Sequence, residues 1–427
     1  MGRLQVAPSG TYFIKDGKPF FLLSDTIWMA FQKLRVRDWE EIVRLRYEQG
    51  FTALQISVLP IAHDNAKSER DLQPFRIVGG KYDFASVNPA YFDHAEQMLA
   101  VMRRYGLTPF LHLFWVNYVP DTWGAACSPD TVIPQEYVEG LARYMVSRFK
   151  KYDPIYSVSG DTQFETPRVT AFYKTVLDVL YELDPEGLTT LHLHPDGDPP
   201  ENLCAHPQYH FYAYQSGHNI SAQKGLGQSN MLRLSKRFLD KKDKKPVINT
   251  EPCYEGHGFG GEYGRFGASD VRRAIWRSLL SGACAGVTYG AHGIWQVFEA
   301  GDSFNNPAFS SMPYTWRNAL HFEGAWDAGY AKWLFIQYGM ESLSPSKAYC
   351  ARSDELCMGV GDGLVVLYLP YNDDVTVCMD LRGYNVTAAA LDSRCILRPT
   401  VEYGEKETTI LRSSKNEDIL LIALREV

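Results

Sequence analysis

The sequence predicts an α/β chain, a (β/α)8 TIM barrel followed by a small C-terminal antiparallel β-sandwich. Three observations carry that expectation. Apolar strand-like runs alternate with amphipathic helical stretches until eight strands have been counted. After Ser344-Pro345 the helical period disappears and only strand-like runs remain. A doubly wound open sheet would need a nucleotide-type glycine-rich first turn, and Ser24-Asp25-Thr26-Ile27-Trp28 is not one. The length of 427 residues suits a barrel of about 250–340 residues plus a small module, which places the barrel over 1–343 and the sandwich over 344–427.

The chain opens with a hairpin whose arms, 11–14 and 20–23, flank Lys15-Asp16-Gly17-Lys18; Asp-Gly between apolar runs signals a type I′ turn. The second arm is expected to continue as the first barrel strand to Ser24-Asp25-Thr26. Trp39, Ile42, Val43, Leu45 and Arg46 recur at helical spacing over 37–49, with Gly50 as the stop. Strands are then expected over 52–58, 107–114, 154–159, 188–193, 209–214, 246–250 and 286–290. Helices are expected over 89–105 (closed by Gly106), 136–150, 169–183, 231–240, 270–281 and 327–338. In the tail, runs over 355–360 and 364–369 flank Gly361-Asp362-Gly363, a hairpin signature, and 375–379, 386–391, 408–411 and 419–424 follow.

Composition narrows the function classes. A net charge of −7 argues against a nucleic-acid partner, and the basic run Lys241-Lys242-Asp243-Lys244-Lys245 reads as a solvated helix end. No run of about 18 apolar residues predicts a membrane span. The N-terminus lacks the apolar core of a signal peptide, and the eight cysteines show no C-x-x-C spacing; both fit reduced thiols in a cytoplasmic protein. The aromatic fraction of 13%, with 26 Tyr and 9 Trp, suits a cleft that stacks on the C–H faces of sugars, although a tyrosine-rich core would use such residues too.

Barrel enzymes present their chemistry at the C-terminal ends of the strands. That rule selects Asp161, directly after the fourth strand, and Glu251, which ends the seventh in Val247-Ile248-Asn249-Thr250-Glu251-Pro252. A retaining glycosidase needs one carboxylate to attack the anomeric carbon and one carboxylic acid about 5–5.5 Å away to protonate the leaving oxygen. A charged Glu251 would raise the pKa of Asp161 and keep it protonated. Asp is one methylene shorter than Glu, so the Gly160 backbone is expected to approach the substrate closely.

At these residues the chain resembles the apiosidase-like glycoside hydrolases. The resemblance rests on Phe20-Phe21-Leu22-Leu23-Ser24-Asp25-Thr26-x-Trp28, on Gly-Phe-Thr-Ala-Leu-Gln at 50–55, on Gly160-Asp161, and on Val247-Ile248-Asn249-Thr250-Glu251-Pro252-Cys253-Tyr254-Glu255-Gly256. It runs through most of residues 10–340, and the tail resembles the β-sandwich often appended to that barrel. The resemblance implies an acid/base role for Asp161 and a nucleophile role for Glu251. It also implies apiose or another pentose-like sugar, cut from the non-reducing end of a plant-derived glycoside or oligosaccharide. Ser159-Gly160-Asp161 stands where the family more usually has Gly-Gly-Asp, and Leu391-Asp392-Ser393-Arg394 where a Trp-x-Asp-Pro-Arg-like stretch is common.

The end-of-strand rule nominates substrate contacts at Asp25, Trp28, His112, Trp115, His194, His210, Tyr212, Tyr214, Tyr254 and Trp295, with Glu255 and His292 beside them. Tyr212 is the expected hydrogen-bond partner of the nucleophile. No cofactor or metal is called for, the expected partner is a carbohydrate, and a homo-oligomer stays open. Two other classes compete. His192-x-His194, with Asp196, His206 and His210 nearby, could serve a metal-dependent barrel hydrolase. A non-catalytic carbohydrate-binding protein could use the same fold. Gly-x-Ser-x-Gly is absent, which excludes a nucleophile-elbow serine hydrolase.

Overall fold

The computed structural model describes residues 2–63, 66–218, 230–258, 264–304, 310–350, 356–371, 373–412 and 418–426. Eight parallel strands form the barrel: β1 Leu22–Thr26, β2 Ala53–Ser57, β3 Thr108–Trp115, β4 Ile155–Gly160, β5 Thr189–Thr190, β6 Tyr212–Gln215, β7 Val247–Glu251 and β8 Gly286–Tyr289. Their hydrogen-bonded order is β5-β4-β3-β2-β1-β8-β7-β6. The remaining seam, between β5 and β6, is bridged where His210 N donates to Thr189 O (2.9 Å) and Thr190 Oγ1 to Phe211 O (2.7 Å).

The helices that cover the barrel are α1 Val36–Glu48, α2 Pro89–Tyr105, α3 Gln135–Phe149, α4 Pro167–Leu183, α5 Asn230–Leu239, α6 Ala268–Leu280 and α7 Gly324–Gln337. Their boundaries follow local chemistry. Asn88 caps α2 by accepting from Ala90 N, Pro89 pre-sets its first turn, and Gly106 ends it at φ 72°. Thr166 and Pro167 start α4 in the same way.

The expected fifth strand is cut short for a visible reason. His192 N, which would continue the ladder, instead donates to the hydroxyls of Ser157 and Ser159 (3.0 Å each). Side-chain oxygens thus replace backbone partners and end regular pairing. Two features escape the sequence pattern: an antiparallel hairpin, Phe75–Val78 with Lys81–Val87, and the pairing of Ala66–Lys67 with Ser303–Phe304. The latter ties the loop after β2 to the loop after β8.

Layering inside the barrel decides where chemistry can sit. The N-terminal end is filled by Leu22, Ala53, Phe110, Ile155, Phe211, Ala213 and Ile248, and the opening hairpin inserts Leu4 and Phe13 beneath them. Asp16 and Gly17 take φ of 51° and 75°, as the type I′ turn of that hairpin requires. Above this apolar plug lies a polar layer. Gln55 Nε2 donates to Thr26 Oγ1 (3.1 Å) and Thr250 O (3.0 Å), His112 Nε2 lies 3.2 Å from Gln55 Oε1, and Thr250 Oγ1 lies 3.2 Å from His192 Nδ1. The C-terminal mouth above this layer is open to a ligand.

In the tail, six antiparallel strands face four across a separate core that includes Val365, Leu367, Leu369, Val375, Val377 and Ile410. Val366, Tyr368, Leu420 and Ile422 alternate with these and join the main core against the barrel. Both faces of Leu364–Leu369 are covered, which explains its unbroken apolar run. The joint between tail and barrel is ionic at its centre. Arg272 on α6 meets both carboxylate oxygens of Asp418 (3.0 Å) and Asp327 on α7 (2.9 Å), and Arg394 also meets Asp327 (2.8 Å). Arg394 belongs to the stretch that departs from the family pattern.

Removing a member of a buried ionic cluster leaves uncompensated charge. Arg272→Ala is therefore expected to lower the unfolding free energy by about 3–5 kcal/mol, read as a drop in the urea midpoint. A change under about 1 kcal/mol, the level of an exposed pair, would show that the joint rests on apolar contact alone.

Candidate active site

The two carboxylates singled out by the end-of-strand rule open into one pocket of about 440 Å³ at the barrel mouth. Asp161 follows β4 and takes φ 57°, the left-handed region that costs most L-residues energy. Gly160 before it has no room for a side chain, because an added Cβ would stand 2.0 Å from Trp115 Cε3. The Trp115 indole, not a substrate, therefore occupies the space that a side chain at 160 would take. Gln215 Nε2 donates to Asp161 Oδ1 and to Leu193 O (2.8 Å), while Trp123 Nε1 donates to the Asp161 carbonyl (2.9 Å).

Glu251 ends β7 with its side chain between two imidazoles. His218 Nε2 donates to Oε1 at 2.8 Å, and His192 Nε2 stands 3.2 Å from Oε2, close enough for charge attraction though not aligned as a hydrogen bond. Burial alone would push the Glu251 carboxyl up, but the two imidazoles overcome it and hold the group down at about 2. Asp161 moves the opposite way. Burial raises its carboxyl above the ordinary range and the charge of Glu251 adds to this, against the lowering effect of His194. One carboxylate is thus held ionised and the other biased toward its protonated form.

Trp28, Trp115, His194, Tyr254 and Trp295 join Asp161 and Glu251 in the pocket wall, as expected from their strand ends. Five other nominated contacts do not. Asp25 is buried against Arg46 of α1, whose Nε donates at 2.6 Å, so its charge is already neutralised outside the barrel. His112 lies in the polar layer under the pocket. His210 precedes β6 and accepts from Thr189 N (3.1 Å) at the opposite end. Tyr212 and Tyr214 point outward because strand side chains alternate. Tyr212 donates to Asp243 O (3.1 Å), and Tyr214 stacks on Phe238 of α5 and pairs with the Ser235 hydroxyl. Tyr212, the expected partner of Glu251, is therefore replaced by His218. Glu255 accepts from Tyr289 OH (2.7 Å) and Gly324 N (2.9 Å) away from the pocket, and His292 Nδ1 accepts from Trp295 Nε1 (3.2 Å).

His63, Trp123, Gln215, His218 and His257 line the pocket and were not nominated. Gln215 is the last residue of β6 and His218 lies three residues beyond it, so extending the expected strand, 209–214, by one residue would have found the first. His63 lies on a loop and Trp123 opens a short helix, Trp123–Cys127, where a tryptophan in the polar stretch Asp121-Thr122-Trp123-Gly124 was the available signal. The histidines of the metal alternative disperse: His192 turns to Glu251, His194 bonds Pro195 O (2.7 Å), and His206 lies 3.1 Å from Asp178. Among the described residues no three His, Cys, Asp or Glu side chains gather as a metal site.

The family model for the apiosidase-like catalytic domain matches residues 7–342. The chain belongs to the apiosidase-like family. It is a glycoside hydrolase, and carbohydrate is its substrate class. Solved structures share the fold over nearly the whole length. One described as a glycoside hydrolase matches with a TM-score of 0.80 at 19% identity, covering 99% of this chain and 97% of that one. A glycoside hydrolase family 5 protein from Bacteroides vulgatus gives the same score and identity, over 99% and 93%. A putative glycoside hydrolase from Bacteroides vulgatus gives 0.71 at 16%, over 99% and 82%. No curated protein sequence matches the chain. Among the described residues no helix of this apiosidase-like hydrolase is long and apolar enough to cross a membrane.

His218→Phe keeps a ring against Tyr254 but deletes the donor to Glu251. The Glu251 carboxyl is expected to rise from about 2 toward its ordinary range, measured by carbon NMR titration of glutamate-labelled protein. An unmoved titration would show that His218 does not hold this carboxylate.

Proposed function

We propose that this apiosidase-like hydrolase is a retaining exo-glycosidase in which Glu251 is the nucleophile and Asp161 the acid/base. The observation that carries the reading is the opposed setting of two carboxyls in one pocket. A double displacement needs an ionised attacker and a protonated acid at the same pH, and environments that push two carboxyls apart assign the roles. Glu251, held between imidazoles, attacks the anomeric carbon as the glycosidic bond breaks. Asp161 gives its proton to the departing oxygen. Asp161, now ionised, then takes a proton from water, and that water's oxygen displaces Glu251 from the sugar.

Trp28, Trp115, Tyr254 and Trp295 supply ring faces for the sugar, and the Trp115 indole N–H has no hydrogen-bond partner among the described residues. The pocket volume falls in the range of small-molecule sites, which favours a terminal sugar over a bound polymer. Family membership favours apiose or a similar pentose from a plant-derived glycoside or oligosaccharide. The eight free thiols suit a reducing, cytoplasmic setting.

Three outcomes are expected. Glu251→Gln abolishes turnover of aryl and natural apiosides while circular dichroism stays native; near-normal hydrolysis would remove Glu251 from the nucleophile role. Asp161→Asn slows substrates with poor leaving groups by about 100-fold or more and activated aryl glycosides far less. In the wild type, kcat/KM falls on the alkaline side as Asp161 loses its proton, and this limb is missing in Asp161→Asn; a limb that persists belongs to another group.

A further inference from the structure

The His218 ring, which donates to Glu251 at 2.8 Å, is oriented by packing. A histidine's donor is ordinarily fixed by the bond its other ring nitrogen makes, but Nδ1 of His218 has no hydrogen-bond partner among the described residues. The rings of Tyr254 and His257 stand in for that bond, with centroids 4.3 and 4.6 Å from that of His218. Both rings come from one short stretch after β7, closed as a turn where His257 N donates to Tyr254 O (3.1 Å). The orientation of His218 therefore depends on where residues 254–257 sit.

Glu255 stands inside that stretch with its side chain turned away from the pocket. Its Oε2 accepts from Tyr289 OH (2.7 Å), at the end of β8, and from Gly324 N (2.9 Å), the first residue of α7. Its backbone N–H donates to Gly290 O (2.9 Å), and its carbonyl accepts from His292 N (2.8 Å). Residue 324 has to be glycine for this approach, because an added Cβ would stand 2.5 Å from Oε2. Burial pushes the Glu255 carboxyl up to about 7; the Tyr289 and Gly324 donors and the charge of Arg46 oppose the rise, and Asp327 of α7 adds to it. Below that pH a neutral acid fills the position. No step of the double displacement uses this buried carboxyl.

We infer that Glu255 is a positioning residue: by tying residues 254–257 to Tyr289 and to the start of α7, it holds Tyr254 and His257 around His218 and so keeps the His218 donor on Glu251. The inference rests on the glycosidase reading above for its kinetic consequence, and on geometry alone for its effect on the Glu251 carboxyl. It gives α7 a part in the chemistry of the mouth, although the described pocket lining includes no residue of that helix.

The test compares wild type with Glu255→Leu, Glu255→Gln and Gly324→Ala. Leucine removes the acceptor, glutamine keeps a neutral acceptor of the same reach, and the alanine displaces Oε2 without altering residue 255. Carbon NMR titration of glutamate-labelled protein, with the signal assigned from Glu251→Gln, follows the Glu251 carboxyl directly. Its midpoint is expected to rise from about 2 by about 1 pH unit or more in Glu255→Leu and Gly324→Ala, and to keep the wild-type value in Glu255→Gln. An unmoved midpoint in the two disrupting variants overturns the inference, as does an equal rise in Glu255→Gln. If Glu255→Leu does not fold, Gly324→Ala decides alone. The kinetic arm follows kcat/KM on an aryl glycoside. A raised Glu251 carboxyl takes up its proton at higher pH, so the acid limb should move up in pH with the midpoint, while the alkaline limb set by Asp161 stays. A rate loss with both the midpoint and the acid limb in place marks Glu255 as merely structural and overturns the inference. A midpoint that rises while the acid limb stays removes Glu251 from the nucleophile role, and the hold of Glu255 on its donor stands. If wild type hydrolyses no glycoside, the glycosidase mechanism fails separately and the titration decides.

Discussion

A carboxylate buried at the end of a strand must be compensated, and Glu251 imposes that requirement on the whole mouth of the barrel. Its oxygens face His218 and His192, which arrive from the ends of β6 and β5. These are the two strands whose mutual pairing is weakest. β5 stops where serine hydroxyls of β4 take over the bonding of His192 N, and that departure from regular pairing sets His192 between Thr250 and Glu251. The irregular seam and the stabilised carboxylate are thus parts of one arrangement.

The same arrangement explains why the layers below are so different. A charged group at the mouth is tolerable because a hydrogen-bonded polar layer separates it from the apolar plug of Phe13, Phe110 and Phe211. Each buried polar atom in that layer that finds a partner avoids a penalty of about 1–3 kcal/mol. Gly160 contributes by absence: Trp115 can lie flat on the strand beside Asp161 only if no Cβ intrudes. The opposed settings of the two carboxyls then follow from position, since Glu251 receives the imidazoles and Asp161 receives burial and the field of Glu251.

What the sequence made legible followed from period and from strand ends. Alternating apolar runs located all eight strands and seven major helices, and α2 came out with the same limits, 89–105, because Asn88, Pro89 and Gly106 mark both ends. The end-of-strand rule brought Asp161 and Glu251 into one pocket. It failed for Tyr212 and Tyr214, which lie on the outward phase of β6, a phase set by where the strand enters the barrel and not by residue type. Asp25 failed because its partner Arg46 comes from the next helix, a pairing that spacing does not encode. Trp123 and His63 were missed for another reason: a five-residue helix and a loop are too short to show a period, and only the folded chain sets them beside Asp161.

The Asp161 side chain, one methylene shorter than that of a glutamate, needs its backbone placed further into the pocket to bring the carboxyl there. The left-handed φ of Asp161 re-aims the chain just past β4, and the conformation persists because its carbonyl is held by Trp123 and its carboxyl by Gln215. Strain at a functional residue is retained only when neighbours over-determine it. Here the neighbour that fixes the carbonyl is itself part of the pocket wall. Positioning Asp161 and shaping the wall beside it are therefore a single structural requirement, and a change at Trp123 has to alter both.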